Sequence, residues 1–170
     1  MRDFDAGLSG DAFVSVESAA TQSESKDWPR QLADMYLAWG RRRHLRVQML
    51  GETAQGGYVL SASGLGAHAI LARENGLHVF EQPDAAGGFD RRTARVRVVP
   101  QPVVPGPRRA TALADALKCL DSSGAEPRVL RRYRAQPSPL VRDVAQGWRT
   151  GRFDQVMNGD FDLIVERDEA

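Results

Sequence analysis

The chain is poor in cysteine, poor in lysine and free of long apolar runs. A single cysteine, Cys119, in 170 residues excludes an intramolecular disulfide framework and fits a reducing compartment. It lies in the apolar run Leu117–Leu120, the setting of a packed thiol rather than of a nucleophile. No segment approaches the roughly 18 apolar residues of a membrane span. The opening Met1-Arg2-Asp3-Phe4-Asp5 is too acidic and polar for a signal peptide. A cytoplasmic protein with no membrane partner is expected. Lysine occurs only at Lys26 and Lys118, which leaves arginine as 21 of the 23 basic residues. The planar guanidinium suits phosphate and base edges, although codon bias in a GC-rich genome gives the same composition.

Catalytic and metal signatures are equally scarce. His44, His68 and His78 stand 24 and 10 residues apart with no cysteine cluster or His-Glu-x-x-His nearby, so no metal site is expected. No Gly-x-Ser-x-Gly elbow frames a serine. Gly64-Leu65-Gly66-Ala67-His68-Ala69 does match Gly-x-Gly-x-x-Ala after a strand-like segment, with Asp84 twenty residues beyond Gly64. A dinucleotide site needs a long following helix and an acid at a strand end. Here the helical segment is short and Pro83-Asp84 reads as loop, so no cofactor is expected.

What is present suits one packed domain: 42% hydrophobic and 26% charged residues, with a net charge of +1. Residues 1–10 read as a flexible lead-in and 11–18 as a first strand. Ser23 or Ser25 is a candidate N-cap for a helix in which Pro29 occupies the first turn. Trp28, Leu32, Met35, Tyr36 and Trp39 fall on one face of that helix, and Gly40 is expected to close it. Strands are expected at 45–50, 58–62, 77–80 and 93–99, with a short helix near 67–74 and a loop over 81–90. Four prolines in the eight residues Pro100–Pro107 mark a linker. Beyond it lie an alanine- and leucine-rich helix at 109–120, a basic strand at 128–134, a proline-broken turn at 136–140, and two short helical pieces hinged at Asn158-Gly159. The expected class is α+β, a mixed sheet with packed helices.

The basic residues are concentrated. From Arg128 to Arg152 seven arginines face one acid, Asp143, which gives +6 in 25 residues with Tyr133 and Trp148 interleaved. Arg41-Arg42-Arg43 and Arg91-Arg92 with Arg95 and Arg97 form two further clusters. Such runs supply salt-dependent affinity for phosphate, and aromatics among them can stack on bases. A solvated face is the plainer explanation of the same residues.

Several segments, taken in order, resemble a bacterial class I peptide chain release factor. Ser23-Glu24 with Asp27-Trp28, then Met35-Tyr36-Leu37-Ala38-Trp39, is similar to the family's Thr-Glu-x-x-Asp-Trp helix and its Met-Tyr-x-x-Trp face. Ser63-Gly64, with Glu74 and Gly76-Leu77-His78 following, is similar to its Ser-Gly to Glu-x-Gly-Val-His run. Arg91-Arg92-Thr93 leading into Arg95–Val99 resembles the segment after the codon-recognition loop. Val141-Arg142-Asp143 and Val156–Asp162 keep the C-terminal register, and Arg149-Thr150-Gly151 resembles an Arg-Thr-Gly shifted by four positions. The resemblance covers about 11–99 and 128–166. It implies the decoding superdomain: an α/β core at 11–99, completed by strand and helices at 128–170.

The departures are as informative. In the family a domain bearing Gly-Gly-Gln catalyses peptidyl-tRNA hydrolysis between the two matched parts. This sequence has no Gly-Gly-Gln, and residues 100–127 supply only the linker and one helix. No segment of these 170 residues resembles the family's N-terminal helical domain, and Thr21-Gln22 stands where the family has a glycine pair. The stop-codon tripeptide should fall at Gln82, Pro83, Asp84, Ala85 and Ala86, where neither Ser-Pro-Phe nor Pro-x-Thr occurs. The resemblance therefore implies a monomeric, non-catalytic protein. It would dock on the ribosome or another structured RNA through Arg41, Arg42, Arg91, Arg92, Arg95, Arg131, Arg132 and Arg149. The alternative is one half of a split release or rescue factor, docking a separate Gly-Gly-Gln hydrolase through the apolar stripe Ala112, Leu113, Ala116, Leu117 and Leu120. A third possibility is a nucleotide-dependent enzyme using Gly64–Ala69.

Overall fold

A computed structural model of the chain describes residues 8–19, 27–102, 109–121 and 126–162. The expected lead-in over 1–7, the Ser23 and Ser25 caps, Thr21-Gln22, most of the proline linker and residues 163–170 lie outside the described residues. The elements in chain order are β1 (Leu8–Ser18), α1 (Asp27–Arg43), β2 (Arg46–Glu52), β3 (Tyr58–Ser63) and α2 (Ala67–Leu71), with a 3₁₀ turn at Ala72–Glu74. They continue with β4 (Gly76–Pro83), β5 (Phe89–Pro102), α3 (Arg109–Asp121), β6 (Val129–Arg134), β7 (Leu140–Asp143), β8 (Arg149–Thr150) and α4 (Phe153–Met157). The eight strands form one sheet in the order β2-β3-β1-β5-β4-β6-β7-β8. All neighbours are antiparallel except β4 and β6, a parallel pair whose strands are joined through β5 and α3 rather than by a tight turn.

Helix α1 forms for the reasons its sequence gives, but it does not stop at Gly40. Trp28, Leu32, Met35, Tyr36 and Trp39 are all buried against the sheet. Asp27 in the first turn and Arg41, Arg42 and Arg43 in the last complement the helix dipole. The helix runs on to Arg43 and closes at His44, whose φ of 55° is left-handed. His44 N donates to Arg41 O at 3.4 Å and Leu45 N to Gly40 O at 2.9 Å, the paired bonds of a Schellman ending. Gly40 serves packing instead: a Cβ there would lie 2.8 Å from Val47 Cβ, so glycine lets β2 lie against the helix.

The sheet buries both faces, unequally. On the first face, Ala12, Val14 and Val16 of β1, Leu60 and Ala62 of β3, and Ala94, Val96 and Val98 of β5 pack under α1. Strict alternation sends Phe13, Val59 and Val99 to the second face, where Ala116 and Leu120 of α3 meet them. Leu113, Leu117 and Cys119 pack against the same cluster. The apolar stripe of α3 is therefore a cap on the sheet rather than an exposed docking ridge. Burying each large apolar side chain here contributes about 2 kcal/mol.

The expected loop over 81–90 is much shorter in the structure. Pairing runs from Gly76↔Val96 without a break to Pro83↔Phe89, so β4 and β5 form a long hairpin and the turn is only 84–88. Pro100, Gln101 and Pro102 of the expected linker belong to β5. Replacing Ala116, which is fully buried, by Glu should set an unpaired carboxylate against Phe13 and Val59. The thermal midpoint is expected to drop by the equivalent of about 3 kcal/mol; a docking helix lying off the sheet would leave it unchanged.

Candidate nucleic-acid interface

The arginines divide by strand parity, and one of them leaves the surface altogether. Arg131, expected among the RNA contacts, is only 1% exposed and lies on the first face beneath α1. Its Nη1 and Nη2 donate to Glu74 Oε1 and Oε2 at 2.8 and 2.7 Å, a bidentate pair. Nη2 and Nε also donate to Asp143 Oδ2 at 3.0 and 3.2 Å. The guanidinium lies 5.0 Å from the Trp148 ring centroid and 5.5 Å from that of Phe161. Alternation with buried Tyr133 and Val141 places it inward, and two carboxylates offset the cost of desolvating it.

This charge anchors a closed polar circuit. Arg131 Nη1 donates to Tyr133 Oη at 3.1 Å, and Tyr133 stands 2.8 Å from His78 Nδ1. His78 Nε2 lies 2.9 Å from the Glu74 carbonyl, which can only accept, so Nε2 carries the proton and Nδ1 accepts from Tyr133. Tyr36 Oη donates to Glu74 Oε1 at 3.3 Å, and Trp28 Nε1 to the His78 carbonyl at 2.9 Å. Burial, followed by the charge of Arg131, pushes His78 down to about 3. Burial opposes the charge on Arg131, yet Glu74 and then Asp143 hold its pKa well above the ordinary arginine value. A pocket of about 290 Å³ opens against this network between Arg43, Arg73, Glu74, Arg131, Gln146 and Asp162. Arg131 and Glu74 are already committed to each other, and Arg43 to Asp162, the marks of a structural core.

The second face carries most of the strand arginines that remain. Arg91 and Arg95 share one side of β5 with Thr93, while Arg92 shares the opposite side with Ala94. Arg92 Nη1 reaches Asp27 Oδ2 at 4.0 Å, at the start of α1. Arg91 and Arg92 therefore address different faces, although they adjoin in sequence. Arg95 stands opposite Glu17 of β1. Arg132 pairs across to Arg142 of β7, and Arg142 to Arg149 of β8, so three guanidinium side chains share one cross-strand row. Arg134 lies one row along, beside Glu81 of β4, which in turn stands opposite Arg91. Arg132 Nη1 contacts Glu81 Oε1 at 3.4 Å. Arg134 and Arg142 belong to the basic run 128–152 but not to the contacts expected from it; the alternation that sends Arg131 and Tyr133 inward also sends Arg132 and Arg134 outward.

Arg41 and Arg42 do not join this group. They sit at the far end of α1, about 20 Å from Asp27 along the helix axis. Arg42 Nε donates to the Asn158 carbonyl at 2.8 Å and Arg43 Nε to Asp162 Oδ2 at 2.6 Å, straps that hold the segment after α4.

The hairpin tip is internally satisfied. Asp84 Oδ1 accepts from Ala86 N at 2.9 Å and Gly88 N at 2.7 Å, and Asp84 N donates to Gly88 O at 3.0 Å. Gln82 and Pro83 end β4, while Asp84, Ala85 and Ala86 form the turn. Phe89 beside it is 40% exposed, with the Arg134 guanidinium 5.5 Å from its ring centroid. The Gly64–Ala69 segment leads into a helix of only five residues, and Asp84 is committed to the tip turn. Among the described residues there is no cluster of metal-ligating groups and no helix long and apolar enough to cross a membrane.

One sheet, capped by α1 on one face and by α3 on half of the other, is an α+β fold of the release-factor type. It matches the solved structure of RF2 of Thermus thermophilus with a TM-score of 0.71 and 17% identity, over 96% of this chain and 68% of that one. No family model matches the chain. In sequence it is 36% identical over 73 residues to peptide chain release factor 2 of Phenylobacterium zucineum, spanning 40% of this chain and 20% of that protein. It is 28% identical over 99 residues to that of Ruegeria, covering 55% and 26%. The chain is a relative of the peptide chain release factors, and it spans about a fifth to a quarter of the length of the curated relatives it matches.

Removing one carboxylate from the buried pair should be costly. Glu74→Ala is expected to destabilise the fold by about 3–5 kcal/mol in urea unfolding. His78 takes up a proton far more readily unfolded, near 6.5, than folded, near 3. Stability should therefore fall as pH drops from about 6.5 toward 3, and His78→Gln should flatten that slope by up to about 1.4 kcal/mol per pH unit.

Proposed function

We propose that this chain is a translation-related, release-factor-like protein that docks on the ribosome, near the decoding region, without hydrolysing peptidyl-tRNA. The observation that carries the reading is a release-factor-type sheet whose open half bears Arg91, Arg132, Arg134, Arg142 and Arg149 on one face. Phosphate-rich RNA is the partner such a surface suits, since guanidinium forks bind phosphate bidentately. The non-catalytic part rests on the sequence, because no Gly-Gly-Gln occurs in these 170 residues. The hairpin tip supports a role other than stop-codon reading, because Asp84 spends its carboxylate on the turn and brings negative charge to it. Docking of a separate hydrolase through α3 is disfavoured, because Ala116 and Leu120 are buried on the sheet.

The experiment is co-sedimentation with ribosomes across a salt series, using Arg91→Ala and Arg92→Ala separately. Saturable binding should weaken on the order of fiftyfold between about 50 and 200 mM salt if four phosphates are contacted. Arg91→Ala should weaken it more than Arg92→Ala, whose side chain lies on the α1 face. Salt-insensitive binding, or none at low salt, would remove the ribosome from the reading.

A further inference from the structure

The uncovered part of the second face holds more than a scatter of charges. Arg132, Arg134 and Arg142 line one shallow depression of about 160 Å³ together with Leu140 and Glu81. Three guanidinium groups thus meet one carboxylate in a concave site, and Glu81 is already in contact with Arg132 at 3.4 Å. Arg134 is oriented from outside the depression, its Nε donating to the Ser138 carbonyl at 3.0 Å. The register extends the charge in both directions. Arg149 lies directly across from Arg142 on β8, and Arg91 lies across Glu81 on β5. Neighbouring strands are roughly 4.8 Å apart, so the row Arg132–Arg142–Arg149 spans about 10 Å. Like charges placed directly opposite destabilise a sheet. A polyanion threaded along the row would remove that repulsion, and nothing within the described residues does so beyond Glu81.

The chemistry at one end narrows the partner further. Phe89 leaves 40% of its surface open beside Arg91, with the Arg134 guanidinium against its ring. An exposed aromatic next to arginines on a sheet is a platform for an unstacked base, which a duplex does not offer. Resting on the reading that the chain binds RNA, we propose that the Arg132–Arg134–Arg142 depression, continued by Arg149 and Arg91, is a phosphate track for single-stranded RNA. Phe89 is its base-stacking end. The track lies off the hairpin turn, so the tip itself carries none of the contact.

The test is fluorescence anisotropy with a labelled oligouridylate of roughly 12 nucleotides, matched to the span of a single-strand site. Arg142→Ala and Arg149→Ala should each make the slope of log affinity against log salt shallower by about 0.7. Arg142→Lys should restore the slope, while Phe89→Ala should weaken binding without changing it. The melting midpoints of both alanine variants should be unchanged or raised, since each removes a like-charge neighbour. Unchanged affinity and slope in the Arg142→Ala, Arg149→Ala double variant would overturn the proposal. Equal affinity for a matched duplex, or displacement of the RNA by polyglutamate as readily as by unlabelled RNA, would overturn it too. The wild-type ribosome co-sedimentation reports separately: retained there with an unaffected track, the docking reading stands and only the track falls; lost there, the reading itself falls.

Discussion

A guanidinium withdrawn from water needs full compensation, and Arg131 receives it from two carboxylates that the chain brings from far apart. Glu74 comes from the turn after α2, 57 residues earlier, and Asp143 from β7, 12 residues later. Satisfying both at once fixes β6 between β4 and β7, because a slip of one residue would carry Arg131 to the other face and leave two carboxylates buried and unpaired. The same arrangement sets Tyr133 beside His78 and Tyr36 on Glu74, so α1 is tied to the sheet by polar as well as apolar contacts. The interior at this point has little freedom to repack, because every partner is shared with another.

The register fixed by that pair has its counterpart on the outside. Once Arg131 points inward, Arg132 and Arg134 point outward, and Arg142 and Arg149 follow through the β7 and β8 pairings. The burial of one arginine and the display of four others are two aspects of one alternation. Helix α3 completes the division by covering Phe13 and Val59 on that same face and leaving the β4–β8 half open. Apolar cap and basic surface therefore lie side by side on one sheet.

Much of this was legible from residue order. The face of α1, the packed setting of Cys119, the α+β class and the relation to release factors all follow from local spacing and motif sequence. Gly40 misled because glycine near a helix end has two uses, and here close approach to Val47 took precedence over termination. Residues 81–90 read as loop because Glu81, Gln82 and Asp90 are polar, yet cross-strand bonding carries the ladder through them. Arg131 could not be told from Arg132 by charge density; the inward parity of Tyr133 holds the signal, but the carboxylates that make burial tolerable are distant in sequence. Gathering Arg132, Arg142 and Arg149 into a row depends on strand pairing across two turns, which no local pattern specifies.

The crossover from β5 to β6 has a consequence for how this architecture tolerates change in length. Strand β4 is flanked by β5 on one edge and by β6 on the other, and the chain between Pro102 and Val129 leaves the sheet and returns to it. The free energy of closing such an excursion grows only with the logarithm of its length, about 0.6 kcal/mol for each doubling. Pairings on either side hold the strands, so the interval can lengthen severalfold while they keep their neighbours, as long as α3 stays on Phe13 and Val59. The connection is a joint where added chain costs less, in entropy, than one misplaced buried charge.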